Sequence, residues 1–90
     1  MERHLLIDDM RDINADDISR NYADGIAFLS KNKYTHLWLD HDLGEDKTGY
    51  DIMCWLEENQ DRLPDKIICV SSNPVGRERI NVVIKRLHRE

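Results

Sequence analysis

Three short apolar runs, at 5–7, 37–39 and 67–70, alternate along this chain with longer segments of helical periodicity. Runs of this length suit β-strands, and their nearly continuous apolar character suits strands that are buried on both faces. Strands that alternate with helices form βαβ units, in which helical crossovers join parallel strands. The pattern therefore predicts an α/β domain built on a parallel sheet.

The periodicity predicts four strands, at 4–7, 18–22, 35–39 and 67–70. It predicts three helices, at 24–32, at 49–59 and from Val75 or Gly76 to Arg89. Thr48 is expected to cap the second helix and Ser72 or Asn73 the third, because short polar side chains accept from free N–H groups there. If 18–22 is not extended, the sheet has three strands. The expected fold is a compact three-layer domain.

Size, charge and cysteine content exclude several classes of protein. Ninety residues form a single domain, 1–90. The net charge of −5 argues against an extended nucleic-acid duplex, which needs a basic face, but not against a nucleotide or an RNA end. No apolar stretch approaches the roughly 20 residues of a membrane span. Cys54 and Cys69 lack CxxC spacing, so we expect reduced thiols and a cytoplasmic location.

Acidic residues follow two of the apolar runs. Asp8 and Asp9 come directly after the first run, and Asp40 and Asp42 flank His41 after the second. The carboxyl ends of parallel strands meet at one edge of the sheet, where ligands bind in α/β folds. Four carboxylates there would repel one another unless a cation or shared protons compensated. We therefore expect a Mg²⁺ site, with Asp8, Asp9 and Asp40 as ligands. The alternative is that Asp8 and Asp9 only end a strand and cap a turn.

His41 is the expected acid–base residue, because histidine takes and gives a proton near neutral pH. Asp40 and Asp42 on either side complete the predicted catalytic group. The alternative is a solvated loop histidine that hydrogen-bonds to one of these two carboxylates.

A phosphate site is expected where the last helix begins. Ser71 and Asn73 precede that helix, whose free N–H groups favour an anion, and Arg77 lies in its first turns. Arg11, in the first loop, is the fourth predicted phosphate ligand, since a guanidinium binds phosphate bidentately. The alternatives are a simple N-cap with an exposed basic helix, and a surface salt bridge for Arg11.

These residues resemble the receiver domain of bacterial response regulators. The resemblance implies a flavodoxin-like fold in which Asp8 and Asp9 match the acidic pair and Asp40 the phospho-acceptor. It implies that Ser71 supplies the hydroxyl after the fourth strand and that Asp42 lends a backbone carbonyl to Mg²⁺.

The chain departs from that pattern in three places. The segment 10–17 is too short for the helix that follows the first strand of a receiver. The chain ends before a fifth strand, so the receiver lysine has no counterpart. The loop after Asp40 also lacks the usual proline-containing turn. These differences argue against phosphorylation signalling.

A closer resemblance is to the cyclic-phosphate processing receiver domains, which are small proteins of bacteria and phages. The matching segments are 7–11, 39–44, 48–51, Trp55 and 71–76. Members usually carry a histidine just before the serine, where this chain has Val70. The resemblance covers nearly the whole chain and implies the processing of cyclic or terminal phosphates.

The expected function is that of a Mg²⁺-dependent phosphoesterase acting on a cyclic phosphate of a nucleotide or an RNA end. The alternative is a non-catalytic receiver-like module that sequesters a nucleotide or regulates a partner protein. Without a fifth strand, the strand at 67–70 is a free sheet edge, which would allow a homodimer.

Overall fold

The computed structural model describes residues 1–87. Its strands are β1 (His4–Ile7), β2 (Asp17–Ser19), β3 (His36–Leu39) and β4 (Lys66–Cys69). Its α-helices are α1 (Tyr22–Lys31), α2 (Gly49–Glu58) and α3 (Pro74–Leu87), and a 3-10 turn at Gln60–Arg62 precedes β4.

The four strands form one parallel sheet in the order β2-β1-β3-β4. His4 pairs with His36, and His36 pairs with Lys66, so three strands begin in register and end together at one edge. The predicted α/β receiver-like sheet is confirmed, and the part of the chain that the structure describes contains no fifth strand.

The three helices cover one face of the sheet only. One apolar cluster joins alternate strand residues to buried side chains from every helix, namely Leu5, Ile7, Leu37, Leu39, Leu29, Ile52, Met53, Leu56, Ile80 and Val83. Residues 1–87 therefore form two layers, one of sheet and one of helices, so the receiver-like α/β fold is as predicted but the third layer is not found among them. A helix on the other face would have to come from the connection between β1 and β2, which is too short and too irregular to form one.

Aromatic and imidazole rings pack on the face of the sheet that the three helices leave uncovered. The ring of His4 stacks on that of His36, with centroids 4.2 Å apart. Trp38 Nε1 donates to His4 Nδ1 at 3.0 Å. Leu6, on the same face, is fully buried. His4 and His36 thus have a structural role on this face of the sheet.

Side-chain caps set helix boundaries that differ from the predicted ones. The predicted strand at 18–22 is shorter, and Tyr22 belongs to α1 instead. The reason is Asn21, whose side chain accepts from the backbone N–H of Asp24 and so starts the helix early. Thr48 begins α2 as predicted, with Asp51 Oδ2 accepting from its N–H at 2.8 Å. The predicted end of the last helix at Arg89 lies outside the described residues.

Within residues 1–87, none of the helices has the length and the apolar character that a bilayer crossing needs. Cys54 and Cys69 are free thiols in the structure.

Candidate metal and phosphate site

Three carboxylates, Asp8, Asp9 and Asp40, meet at the carboxyl edge of the sheet, and we call them the acidic cluster. Asp8 follows β1 and Asp40 follows β3, and these neighbouring strands end in register. The pairing of β3 with β1 continues one residue beyond the end of β3, since the Asp40 N–H donates to the Ile7 carbonyl at 3.0 Å. One carboxylate oxygen from each of the three residues lies within 4.8 Å of the others. The structure thus brings together the acidic residues that lie far apart in sequence.

Asp8 is the buried member of the acidic cluster, with 1 % of its surface exposed. Its Oδ1 accepts from the backbone N–H groups of Met10 and Arg11, at 2.9 and 2.8 Å. Its Oδ2 accepts from Arg11 Nη1 at 2.8 Å. Both oxygens therefore have donors, which a buried carboxylate requires. Asp8 caps the turn after β1, and the same residue belongs to the cluster, so the two interpretations of the sequence are compatible.

The charged form of Asp40 is disfavoured, first by its partial burial and second by the nearby charge of Asp8. Burial, and then the charge of Asp8, raise the pKa of Asp40 above its ordinary value of 3.8. Hydrogen bonds from Ser71 and from the His41 backbone, together with the charge of Arg11, act in the opposite direction and only partly offset this rise in pKa. A cation beside Asp40 would relieve the remaining repulsion.

Asp42 lies beside the acidic cluster on the loop between β3 and α2, and its side chain is 64 % exposed. His41 Nδ1 is 3.3 Å from its Oδ1, and Asn73 Nδ2 donates to its Oδ2 at 3.4 Å. Each oxygen of this carboxylate is thus oriented by a different neighbour.

Two glycines let the loop containing His41 fit between the sheet and the helices. A Cβ at Gly76 would overlap the His41 ring, with Nδ1 only 2.6 Å away. A Cβ at Gly49 would collide with the backbone of Asp40, whose carbonyl carbon would be 2.9 Å away. These close approaches explain why glycine stands at both positions, at the starts of α3 and α2.

A cavity of about 410 Å³ opens onto the acidic cluster. It is lined by Asp8, Asp9, Met10, Arg11, Asp40, Asp42 and Ser72. Hard carboxylate oxygens are the ligands that Mg²⁺ prefers, and one or two of them suffice when waters and phosphate complete the shell. The three carboxylate donors beside this cavity therefore fit a divalent cation.

A comparison with protein families matches residues 3–86 to the cyclic-phosphate processing receiver domain. The chain belongs to this family. The match includes all four strands and reaches the last turn of α3, and it confirms the resemblance found in the sequence. No curated protein and no solved structure was found to match.

In this cyclic-phosphate processing receiver domain, five of the predicted site residues line the cavity: Asp8, Asp9, Arg11, Asp40 and Asp42. The other four do not line it: His41, Ser71, Asn73 and Arg77. The His41 side chain is 13 % exposed and lies against Gly76 at the start of α3. Arg77 lines a different groove of about 390 Å³, on the outer side of α3.

Ser71 and Asn73 organise the loop that leads into α3. Ser71 is buried, and its Oγ accepts from the Asn73 N–H at 3.1 Å. Asn73 Oδ1 accepts from the N–H groups of Val75 and Gly76, at 3.1 and 3.2 Å. Asn73 therefore caps α3 and engages N–H groups that the sequence had assigned to an anion.

Three residues at this edge were not among the predicted site residues, although Ser72 was considered as a cap of the last helix. Met10 and Ser72 line the cavity. Arg20 Nη1 donates to the backbone carbonyls of Asp8, at 3.2 Å, and Arg11, at 2.7 Å, so it clamps the loop after β1. The available signal was the position of Arg20 directly after β2, since β2 ends at the same edge as β1.

Proposed function

We propose that this protein is a metal-dependent phosphoesterase that acts on a cyclic phosphate of a nucleotide or of an RNA end. The observation that carries the proposal is the convergence of three carboxylates within 4.8 Å beside an open cavity. Membership of the cyclic-phosphate processing family supports the substrate class.

The acidic cluster would hold the cation, for which we propose Mg²⁺. Asp8, Asp9 and Asp40 are the candidate ligands. When bound, Mg²⁺ would polarise the phosphoryl group and stabilise the negative charge that develops on it. Arg11 lines the same cavity and would contribute a guanidinium to the phosphate oxygens.

Asp42 is the residue best placed to accept a proton from an attacking water. It lines the cavity, it is exposed, and its two oxygens are oriented by His41 and Asn73. His41 would then act as a positioning residue, because its own ring lies under α3 and does not line the cavity. This assignment modifies the role of general acid that the sequence predicted for His41.

The test is a turnover assay with adenosine 2′,3′-cyclic phosphate, with and without Mg²⁺, in which mass spectrometry follows the addition of one water. We expect Asp40→Asn and Asp42→Asn to lower kcat by about 10²- to 10⁴-fold, the usual range for a lost proton-transfer or charge-stabilising group. Asp46→Asn is the matched control, because Asp46 is exposed on the same loop and does not line the cavity. Equal turnover by all three variants and the wild type would remove the assignment.

A non-catalytic role in nucleotide binding is the second candidate. It is favoured by the burial of the His41 ring, which leaves the cavity lined by carboxylates, Arg11, Met10 and Ser72. Retention of the cyclic nucleotide in equilibrium dialysis without any product would support this role. A stable adduct after incubation with acetyl phosphate would instead indicate a phosphorylated receiver, although none of the lysines within residues 1–87 lines the cavity.

A further inference from the structure

Arg11 forms an ion pair with the most buried carboxylate of the acidic cluster. Its Nη1 donates to Asp8 Oδ2 at 2.8 Å. The Asp8 side chain is 2 % exposed, whereas that of Arg11 is 42 % exposed. The guanidinium therefore neutralises a buried charge from a position that is itself open to the cavity. A cation bound by Asp8 would compete with Arg11 for this carboxylate.

The backbone around Arg11 does not depend on this ion pair. Asp8 Oδ1 holds the turn through two backbone N–H groups, and Arg20 holds the carbonyls of Asp8 and Arg11. The side chain of Arg11 can leave Asp8 while the loop stays in place. Since Arg11 also lines the cavity, the freed guanidinium would remain within reach of a phosphate there.

We propose that Arg11 is an internal counter-ion that the divalent cation displaces, and that the displaced guanidinium then binds the phosphate of the ligand. This inference rests on the proposed function and adds a regulatory property to its site. A cation that frees Arg11 raises the affinity for phosphate, and a phosphate that captures Arg11 raises the affinity for the cation. The two effects must be equal in size, because coupling between binding sites is reciprocal.

The test measures Mn²⁺ binding to the whole protein by electron paramagnetic resonance of free Mn²⁺, with and without inorganic phosphate. Without phosphate, we expect Arg11→Met to bind Mn²⁺ about tenfold more tightly than the wild type, the scale of one charge-assisted hydrogen bond. With phosphate, the affinity for Mn²⁺ should rise by more in the wild type than in Arg11→Met, because the variant keeps direct metal–phosphate coordination but lacks the guanidinium.

Lys31→Met is the matched control. It also removes one positive charge from an exposed side chain, but Lys31 lies in the last turn of α1, at the opposite edge of the sheet. We expect it to keep both the wild-type affinity for Mn²⁺ and its dependence on phosphate. A general effect of net charge would change Lys31→Met as well, and that result would overturn the inference.

Thermal denaturation provides a second measurement. It also shows whether Arg11→Met is folded, so that a loss of Mn²⁺ binding through unfolding is recognised. The variant should melt at a lower temperature than the wild type without metal, and Mn²⁺ should raise its melting temperature by more. The inference is overturned if Arg11→Met binds Mn²⁺ no more tightly than the wild type, if phosphate raises its affinity for Mn²⁺ as much as that of the wild type, or if neither protein binds Mn²⁺. None of these readouts requires turnover, so the assay with cyclic phosphate tests the proposed function separately.

Discussion

Asp40→Asn should stabilise the protein in the absence of metal, although it removes a residue of the candidate site. The Asp8 and Asp40 carboxylates lie within 4.8 Å of each other. Two unit charges at that separation repel by about 0.9 kcal/mol at the dielectric constant of water, and by about 3.5 kcal/mol at an effective value of 20. The substitution also weakens the hydrogen bonds that Ser71 and the His41 backbone make to the charged form. We expect a net gain of about 1–2 kcal/mol at pH 7.

The pH dependence of this gain follows from the direction of the pKa shift. The pKa of Asp40 is raised in the folded protein, so the folded state binds more protons than the unfolded state just above pH 3.8. Stability that comes from this group is therefore lost as the pH rises through that window. The advantage of Asp40→Asn should be absent below pH 3.8, where the carboxyl is protonated in both states, and should grow toward pH 7.

Urea denaturation at several pH values, with and without Mg²⁺, provides the assay. Mg²⁺ should stabilise the wild type, because a ligand that binds only the folded state raises the free energy of unfolding. It should stabilise Asp40→Asn by less, because that variant keeps only two of the three candidate ligands, Asp8 and Asp9. For a domain of this size, a change of about 1 kcal/mol moves the melting temperature by roughly 4–8 °C. The reasoning is refuted if Asp40→Asn is less stable than the wild type without metal at pH 7, while Asp46→Asn is unchanged.

Three further predictions concern packing, capping and assembly. Gly76→Ala should lower the free energy of unfolding by about 1–3 kcal/mol in urea denaturation, because the new Cβ overlaps the His41 ring and α3 must shift; an unchanged midpoint would contradict this packing. Asp8→Ala should cost about 1–3 kcal/mol in the same assay, since it leaves two backbone N–H groups and Arg11 without their acceptor. Asp8→Asn should cost less, because its Oδ1 can still accept from both N–H groups; equal losses would exclude the capping role. The free edge of β4 should pair with a second copy, so light scattering at micromolar concentration should give twice the chain mass, whereas a monomer would exclude this assembly.

Local patterns in the chain are enough to locate most elements of the fold. The apolar runs and the helical periodicity place β1, β3, β4 and all three helices to within a few residues. Thr48 and Asn73 mark helix starts, because the hydrogen bonds of a helix cap join residues within three positions of one another, from the Thr48 N–H to Asp51 and from the Gly76 N–H to Asn73. The edge strand β2 lies earlier in the chain than the predicted strand at 18–22, because Asn21 starts α1 early. The three residues of β2 are also too few to show a clear periodicity.

Long-range packing decided the features that sequence patterns could not show. We predicted three layers, and the described residues form two. The reason is that the short connection after β1 forms a turn around Asp8 and not a helix. The distance between Arg77 and the cavity depends on the rotation of α3 against the sheet, which periodicity alone does not fix. The same rotation places Gly76 over His41 and turns that ring away from the cavity.

The sequence by itself determined that Asp8 and Asp40 each follow a strand, so that the two would meet if those strands were parallel neighbours, and the structure pairs these strands in register. Only the tertiary structure decided which charges face each other there. The pairing of Arg11 with Asp8, and of Asp42 with His41 and Asn73, depends on loop paths and side-chain rotations. The contact of Asn73 with Asp42 joins residues 31 positions apart. Asp8 and Arg11 are only three positions apart, but which neighbour the guanidinium selects still depends on how the loop packs against the sheet.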